Sequence, residues 1–227
     1  MPDRPDVVVF DVLETLLDLD PLAARLEEVG QPAAVLAPWF LRFQRDAMAL
    51  TLAGDEAVFE PVARQAMRTE TQHTLSEAGI DHVLAGFATL PAFDDAAPAL
   101  RTLSQAGVTV ACLTVGSADN TRRFLDGAGL AEFVDHVVTA QMAGVWKPHP
   151  KIYHVTAEQL HTPIERMALV AVHAWDCHGA KRAGALTGWC SRLEGEPGDV
   201  FLPADVTGEN LVDVADKLLR LPERPAT

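Results

Sequence analysis

The sequence contains few cysteines, and its three, Cys112, Cys177 and Cys190, do not follow the spacing of a metal-binding motif. An odd number of isolated cysteines favours free thiols over a disulfide framework and is typical of a reducing compartment. No apolar run is long enough to cross a bilayer, and residues 1–6 lack the basic and apolar regions of a signal peptide. We therefore expect a cytoplasmic protein that does not associate with a membrane.

Basic residues are also scarce. The chain of 227 residues carries 18 Lys and Arg against 32 Asp and Glu, which gives a formal net charge of −14. Nucleic acids and anionic membranes bind basic surfaces, so this charge argues against both as partners. A small anionic substrate remains compatible with it, because a few nearby cations can outweigh a distant field.

Helical patterns dominate the first part of the chain, after one short apolar run. Apolar residues recur at helical spacing over residues 22–29, 34–52 and 58–78, with Gly30 and Gly54 as stop signals. Nothing in this part alternates like a strand. We therefore predict a block that consists of helices alone.

Short apolar runs and amphipathic segments alternate in the rest of the chain. The predicted strands are residues 7–10, 108–113, 133–139, 167–172 and 186–190, and the predicted helices are residues 120–128, 150–159, 176–183 and 211–219. Such alternation is typical of an α/β fold with a doubly wound parallel sheet. We predict a Rossmann-like core domain from residues 1–18 and 91–227, with an inserted all-helical cap domain at residues 19–90.

Four segments with polar side chains fall at the carboxyl ends of predicted strands. They are Asp11 with Thr15, Thr114 with the turn that follows it, Lys147 with Tyr153, and His173-Ala174-Trp175-Asp176. In parallel α/β sheets, ligands bind at this edge. A carboxylate there can act as a nucleophile, or it can cap a helix; the residues alone leave both interpretations open for Asp11.

The order Asp, Thr, Lys, Asp resembles the haloacid dehalogenase superfamily, and the resemblance extends over residues 7–219. Most members are Mg²⁺-dependent phosphatases, with a proton-donating Asp two residues after the nucleophile and a metal-binding Asp in the last motif. Leu13 and Val172 occupy those positions here. They can neither donate a proton nor bind a hard cation. The resemblance therefore implies chemistry without a metal or cofactor, and a Mg²⁺-dependent phosphatase is the first alternative.

Segments 10–16, 147–148 and 173–176 are similar to the L-2-haloacid dehalogenases, the branch that does without a metal. The resemblance implies that a carboxylate displaces halide from a short 2-haloacid and that water hydrolyses the resulting aspartyl ester. The implied partners are the small anionic haloacid and water. A homodimer is a further family expectation.

The resemblance implies roles for four catalytic residues. Asp11 becomes the nucleophile, Lys147 its cationic partner and Thr15 a hydroxyl donor, while Asp176 positions or activates the hydrolytic water and pairs with Lys147. Each residue also has a structural alternative. Lys147 suits a surface loop, Thr15 can bond the local backbone, and Asp176 can cap a helix.

The resemblance also implies a substrate pocket, built from Leu13, Arg42, Phe59, Thr114, Val115, Tyr153, His173 and Trp175. Arg42 is the expected cation on the halide side, with Arg45 as a competing choice. The alternatives are an exposed helical Arg42 and ordinary core packing for the aromatic residues. A metal site formed by His173, Asp176, Cys177 and His178 is a further, weaker interpretation.

Three positions depart from the better-known members of the branch. Val115 replaces an Asn, Ala171 a Ser, and Leu13 a Tyr or Asn. Hydrogen-bond donors are missing at such positions, and each can be worth about 10²-fold in rate where it faces developing charge. A catalytically silent paralogue that acts as a binding protein is therefore the second alternative.

Overall fold

The computed structural model describes residues 3–223. Within this range the chain forms six strands and ten α-helices: β1 Val7–Asp11, α1 Pro21–Glu28, α2 Leu36–Ala53, α3 Phe59–Glu70, α4 Glu77–Ala85, α5 Ala96–Gln105, β2 Thr109–Thr114, α6 Ala118–Gly127, β3 His136–Thr139, α7 Ala140–Ala143, α8 Pro150–Gln159, β4 Met167–Ala171, α9 Ala174–Ala183, β5 Leu186–Cys190, β6 Val206–Gly208 and α10 Leu211–Leu219. None of the helices in these residues has the length and apolar character needed to span a bilayer.

The strands form one parallel sheet in the order β3-β2-β1-β4-β5-β6, which confirms the predicted doubly wound α/β fold. The apolar run Val7 to Phe10 is buried throughout, as expected for a central strand covered on both faces. The strand order reverses between β1 and β4. A crevice therefore forms at the carboxyl ends of these two strands, where α/β proteins bind ligands.

The segment between β1 and α5 contains only helices, as predicted. Its aromatic side chains pack together around Trp39, whose indole N–H donates to the carbonyl of Ala63 at 2.9 Å. The segment that leaves the sheet region lies beside the segment that returns to it, since the Phe93 N–H donates to the Leu16 carbonyl at 3.0 Å. This arrangement suits an insertion, and the boundaries of the two domains stay a prediction.

The single helix predicted for residues 58–78 is wrong, because the structure contains two. α3 ends at Glu70, and Gln72 and His73 then adopt φ angles of 52° and 60°, outside the right-handed helical region. The Ser76 hydroxyl accepts a hydrogen bond from the Gly79 N–H at 3.1 Å and so caps the start of α4.

Three elements were absent from the prediction, and several bounds differ. α5, α7 and β6 are additional; β6 has only three residues and α7 four, too few for a periodic pattern. The strand predicted for residues 133–139 begins later, at His136, because residues 131–133 form a 3₁₀ turn. These differences leave the sheet edge that carries the polar residues unchanged.

Candidate active site

Asp11 is the last residue of β1, and its carboxylate accepts two hydrogen bonds. The Lys147 ammonium donates to Oδ1 at 2.8 Å, and the Thr15 hydroxyl donates to Oδ2 at 2.7 Å. Burial raises the pKa of Asp11, but Lys147 and His173 outweigh it and hold the pKa well below its usual range. Asp11 is therefore a carboxylate anion at neutral pH.

Lys147 is buried between two carboxylates, with only 3% of its side chain exposed. Its ammonium lies 2.8 Å from Asp11 Oδ1 and 2.7 Å from Asp176 Oδ2. Burial lowers the pKa of Lys147, yet the two carboxylates raise it above its ordinary value. A surface loop position for Lys147 is thus wrong.

Asp176 lies fully buried in the first turn of α9, where Tyr153 of α8 reaches it. The Tyr153 hydroxyl donates to Asp176 Oδ1 at 2.6 Å, and Lys147 takes Oδ2. Gly179 makes this approach possible, because a Cβ there would lie 2.7 Å from the Tyr153 hydroxyl oxygen. Both carboxylate oxygens of Asp176 are engaged, so the residue acts on Lys147 and Tyr153.

His173 connects Asp11 to Glu14, a residue for which no role in the site was predicted. Its Nε2 lies 2.8 Å from Glu14 Oε2, and its Nδ1 lies 3.5 Å from Asp11 Oδ2. Nδ1 is buried and forms no hydrogen bond among the described residues. Burial lowers the pKa of His173, but the two carboxylates raise the pKa to about 10, so the ring is a cation at neutral pH.

Glu14 occupies an uncommon backbone position, with φ at 64°. A non-glycine residue in the left-handed region costs about 1–3 kcal/mol and persists where the surroundings determine it. No sequence pattern marks such a position. Its neighbour Thr15 is buried, and the Thr15 oxygen accepts the Val172 N–H at 3.2 Å while its hydroxyl donates to Asp11.

A small cavity of about 30 Å³ lies between α2 and the carboxyl end of the sheet. The residues that line it are Asp11, Leu13, Phe40, Phe43, Gln44, Met48, Val115, Trp146, Lys147, His173 and Trp175. Larger grooves, such as one of about 610 Å³ next to Phe93, contain none of the buried charged groups. The small cavity therefore combines the nucleophile, two cations and a mainly apolar wall.

Four of the predicted pocket residues do not line this cavity. One of them, Tyr153, instead donates its hydroxyl to the buried Asp176. Arg42 forms an ion pair with Glu70. The Phe59 ring packs on the Phe43 ring, with 5.0 Å between the ring centroids. The Thr114 hydroxyl oxygen accepts a hydrogen bond from the Gly116 N–H at 3.1 Å. The competing choice for the halide-side cation, Arg45, pairs with its neighbour Asp46.

The part of the cavity wall that α2 contributes follows helical spacing. Phe40, Phe43 and Gln44 are three and four residues apart and share one face. Arg42, two residues after Phe40, falls on a different face. The aromatic residues Trp39, Phe40 and Phe43, which are buried, indicate in the sequence which face of α2 packs inward.

The donor set does not fit a hard cation. Among residues 3–223, no group of three or more His, Cys, Asp or Glu side chains could hold a metal ion, so the site suggested for His173 and Cys177 is wrong. Leu13 and Val172 offer no side-chain oxygen at the two positions that Mg²⁺-dependent relatives use. Lys147 places its charge against Asp11 instead.

Comparison with known proteins now decides the family. A family model described as haloacid dehalogenase-like hydrolase matches residues 5–184. The chain belongs to this family. This haloacid dehalogenase-like hydrolase is similar to (S)-2-haloacid dehalogenase 4A from Burkholderia cepacia, with 29% identity over 208 residues that cover 89% of this chain and 90% of the relative.

Solved structures agree with this placement of the hydrolase. A dehalogenase with an intermediate complex is similar at a TM-score of 0.86 and 26% identity, covering 99% of this chain and 100% of that chain. The fold is also that of L-2-haloacid dehalogenase from Xanthobacter autotrophicus with chloropropionic acid covalently bound, with a TM-score of 0.86, 22% identity and coverage of 95% and 98%.

Proposed function

We propose that this hydrolase converts short 2-haloalkanoic acids into 2-hydroxy acids, without a metal ion, through an ester on Asp11. The observation that carries the proposal is the charged Asp11 carboxylate, held by Lys147 and Thr15 at the wall of a mainly apolar cavity. Dehalogenases among the relatives and structural neighbours support the same reaction.

In the first step, an Asp11 oxygen attacks the α-carbon from the side opposite the halogen. A carbon–oxygen bond forms while the carbon–halogen bond breaks, and the halide leaves with the bonding electrons. Halide is a weak base, so the step needs no proton donor, and Leu13 suffices where phosphatases carry an acid. The apolar wall keeps water away from the nucleophile, and Lys147 balances its charge.

In the second step, water attacks the carbonyl carbon of the Asp11 ester. Esterification removes the charge of Asp11, which is one of the two carboxylates that raise the pKa of His173. The His173 pKa then falls, the ring gives up its proton to solvent, and neutral His173 accepts a proton from the attacking water. The tetrahedral intermediate collapses to the Asp11 carboxylic acid as the departing alkoxide takes the proton from His173. The acid then passes its own proton to His173, which restores the Asp11 carboxylate and the His173 cation. The sum is one halide ion and one proton released for each haloacid hydrolysed.

This assignment gives Asp176 a positioning role through Lys147. Asp176 does not line the cavity, and Lys147 and Tyr153 occupy both of its carboxylate oxygens. His173 does line it, with an unbonded ring nitrogen 3.5 Å from Asp11. The homodimer and the cytoplasmic location implied earlier stay predictions.

The test is halide release from chloroacetate and from each enantiomer of 2-chloropropionate, with EDTA present. We expect release from chloroacetate and the L enantiomer, and none from Asp11→Asn, because the amide is a poor nucleophile. A single turnover in heavy-oxygen water should place the label on Asp11, with the product keeping an unlabelled oxygen.

The outcomes separate the alternatives. Label in the product after a single turnover would show that water displaces halide directly, without an ester. Phosphate release that requires Mg²⁺, without halide release, would support the phosphatase. Tight binding of a haloacid by the wild type without turnover would support the silent paralogue.

A further inference from the structure

The turn after β1, residues 12–17, carries the two side chains that touch the reacting groups, and we call it the nucleophile turn. Thr15 donates to Asp11, and Glu14 pairs with His173. The hydrogen bonds within the turn run from Leu16 and Leu17 to the Val12 carbonyl and from Glu14 to the Leu17 carbonyl. The carbonyls of Glu14 and Thr15 accept none of these hydrogen bonds within the turn.

Both carbonyls accept hydrogen bonds from the same guanidinium group. Arg192, in the loop after β5, donates through Nη2 to the Thr15 carbonyl at 2.7 Å and to the Glu14 carbonyl at 3.4 Å. Its other nitrogen, Nη1, donates to both carboxylate oxygens of Asp95, at 2.8 and 2.7 Å. The guanidinium also lies over the Phe93 ring, with Cζ 3.8 Å from the ring centroid.

Asp95 is itself fixed by a further element. Its Oδ2 accepts the N–H of Leu211, the first residue of α10, at 2.8 Å. Phe93 is anchored to the same turn, because its N–H donates to the Leu16 carbonyl. Arg192 thus connects the nucleophile turn to α5, α10 and the loop after β5.

We propose that Arg192 is a positioning residue: it holds the backbone of Glu14 and Thr15 so that their side chains reach the reacting groups. Arg192 lies outside the cavity lining, and its hydrogen bonds go to Asp95 and to the carbonyls of Glu14 and Thr15. The left-handed backbone of Glu14, with φ at 64°, is the kind of conformation that needs such external support. A planar fork suits this task, because it bonds a carboxylate and two carbonyls in fixed directions.

The inference rests on the proposed function only where it concerns rate. Its main test, a titration of His173, needs no substrate. The charged groups that face the His173 ring are Asp11 and Glu14, with Lys147 beyond Asp11. If Arg192 holds Glu14 in place, loosening Arg192 weakens the Glu14–His173 pair and lowers the pKa of His173.

The variant is Arg192→Lys, which keeps the positive charge and removes the fork. Isotope-labelled histidine is titrated by NMR, and His173→Asn identifies the His173 signal among the eight histidines. We expect the pKa of His173 to fall by about one pH unit in Arg192→Lys. Arg166→Lys, which alters an ion pair with Asp6 at the protein surface, serves as the matched control. It should leave the titration unchanged.

The rate gives a second readout. Arg192 does not contact the substrate cavity, so we expect Arg192→Lys to lower kcat for halide release about tenfold while KM stays near the wild-type value. A folded Arg192→Lys in which His173 titrates as in the wild type would overturn the inference. If Arg192→Lys does not fold, the His173 titration is repeated with Asp95→Asn. This substitution weakens the hydrogen bonds between the Arg192 guanidinium and the Asp95 carboxylate, so it should also lower the pKa of His173.

The two proposals fail separately. An unchanged His173 titration together with normal halide release overturns the positioning role of Arg192 alone. A wild type that releases no halide, in the presence of the expected shift in the Arg192→Lys titration, overturns the dehalogenation and leaves the positioning role supported.

Discussion

At the scale of single residues, Lys147 is the side chain on which the buried charges depend. It compensates Asp11 and Asp176, and the side chain of Asp176 is fully buried. We predict that Lys147→Met abolishes halide release and lowers the free energy of unfolding by about 3–5 kcal/mol, because it leaves uncompensated buried carboxylates. Urea unfolding and a halide assay measure the two effects.

The same substitution at an exposed lysine provides the control for Lys147→Met. Lys151→Met removes a lysine four residues later in the chain, at the surface of α8, and should change neither quantity. Adding Asp176→Asn to Lys147→Met should recover part of the stability without activity. Wild-type stability in Lys147→Met would contradict the description of Lys147 as a compensating charge.

His173 links the stability of the fold to pH. Its pKa is raised from 6.5 to about 10 by Asp11 and Glu14, against the effect of burial, so the folded state favours the protonated ring. This contribution to stability is fully present below pH 6.5 and is lost as the pH rises through about 10. Each pH unit of the difference corresponds to about 1.4 kcal/mol.

We therefore predict that the stability difference between the wild type and His173→Asn is largest near pH 6.5 and shrinks steadily towards pH 10. Urea unfolding of both proteins across this range measures the difference. His154→Asn, at an exposed position of α8, is the control for a histidine in general. A difference that does not vary with pH would show that His173 is not held as a cation.

At the scale of elements, the sequence predicts what depends on a strand and the few residues that follow it. The closeness of Asp11, Thr15 and His173 could be predicted because the parallel strands β1 and β4 bring their carboxyl ends to one edge of the sheet. Lys147 lies eight residues after β3 and beyond α7, so its place beside Asp11 was predicted from the family resemblance. Arg42 was misplaced because a helix turns by about 100° per residue, so a small register error selects the wrong face. Arg42 and Glu70 are 28 residues apart along the chain, and no local sequence pattern indicates that they form an ion pair.

The break between α3 and α4 and the contact of Glu14 with His173 were missed for a shared reason. Both depend on non-glycine residues with positive φ, Glu14, Gln72 and His73, which residue type rarely reveals. Ser76 did carry a signal, since a Ser before an acidic first turn is typical of a helix start. Prediction from the sequence is thus limited mainly by backbone conformations that tertiary contacts determine, and less by errors in secondary-structure propensity.

At the scale of the whole molecule, the cavity belongs to two parts of the chain at once. The helical segment contributes Phe40, Phe43, Gln44 and Met48, and the sheet region contributes the charged groups. The cavity volume of about 30 Å³ compares with the roughly 10–15 Å³ that one water molecule needs by the same measure. Substrate size is therefore set by how the two parts pack against each other.

This packing predicts a preference for the shortest substrates. We expect kcat/KM for chloroacetate to exceed that for 2-chlorobutyrate by 10-fold or more, since one methylene in a tight apolar site is worth about 1–3 kcal/mol. Met48→Ala removes side-chain volume from the α2 wall without touching a charged group, so it should narrow the ratio by raising the rate with 2-chlorobutyrate. Leu52→Ala, at a side chain of α2 that is 90% exposed, should keep the wild-type ratio. Equal ratios in the wild type and Met48→Ala would mean that the α2 wall does not set chain length, and that the limit lies among the sheet-side residues Leu13, Val115 and Trp175.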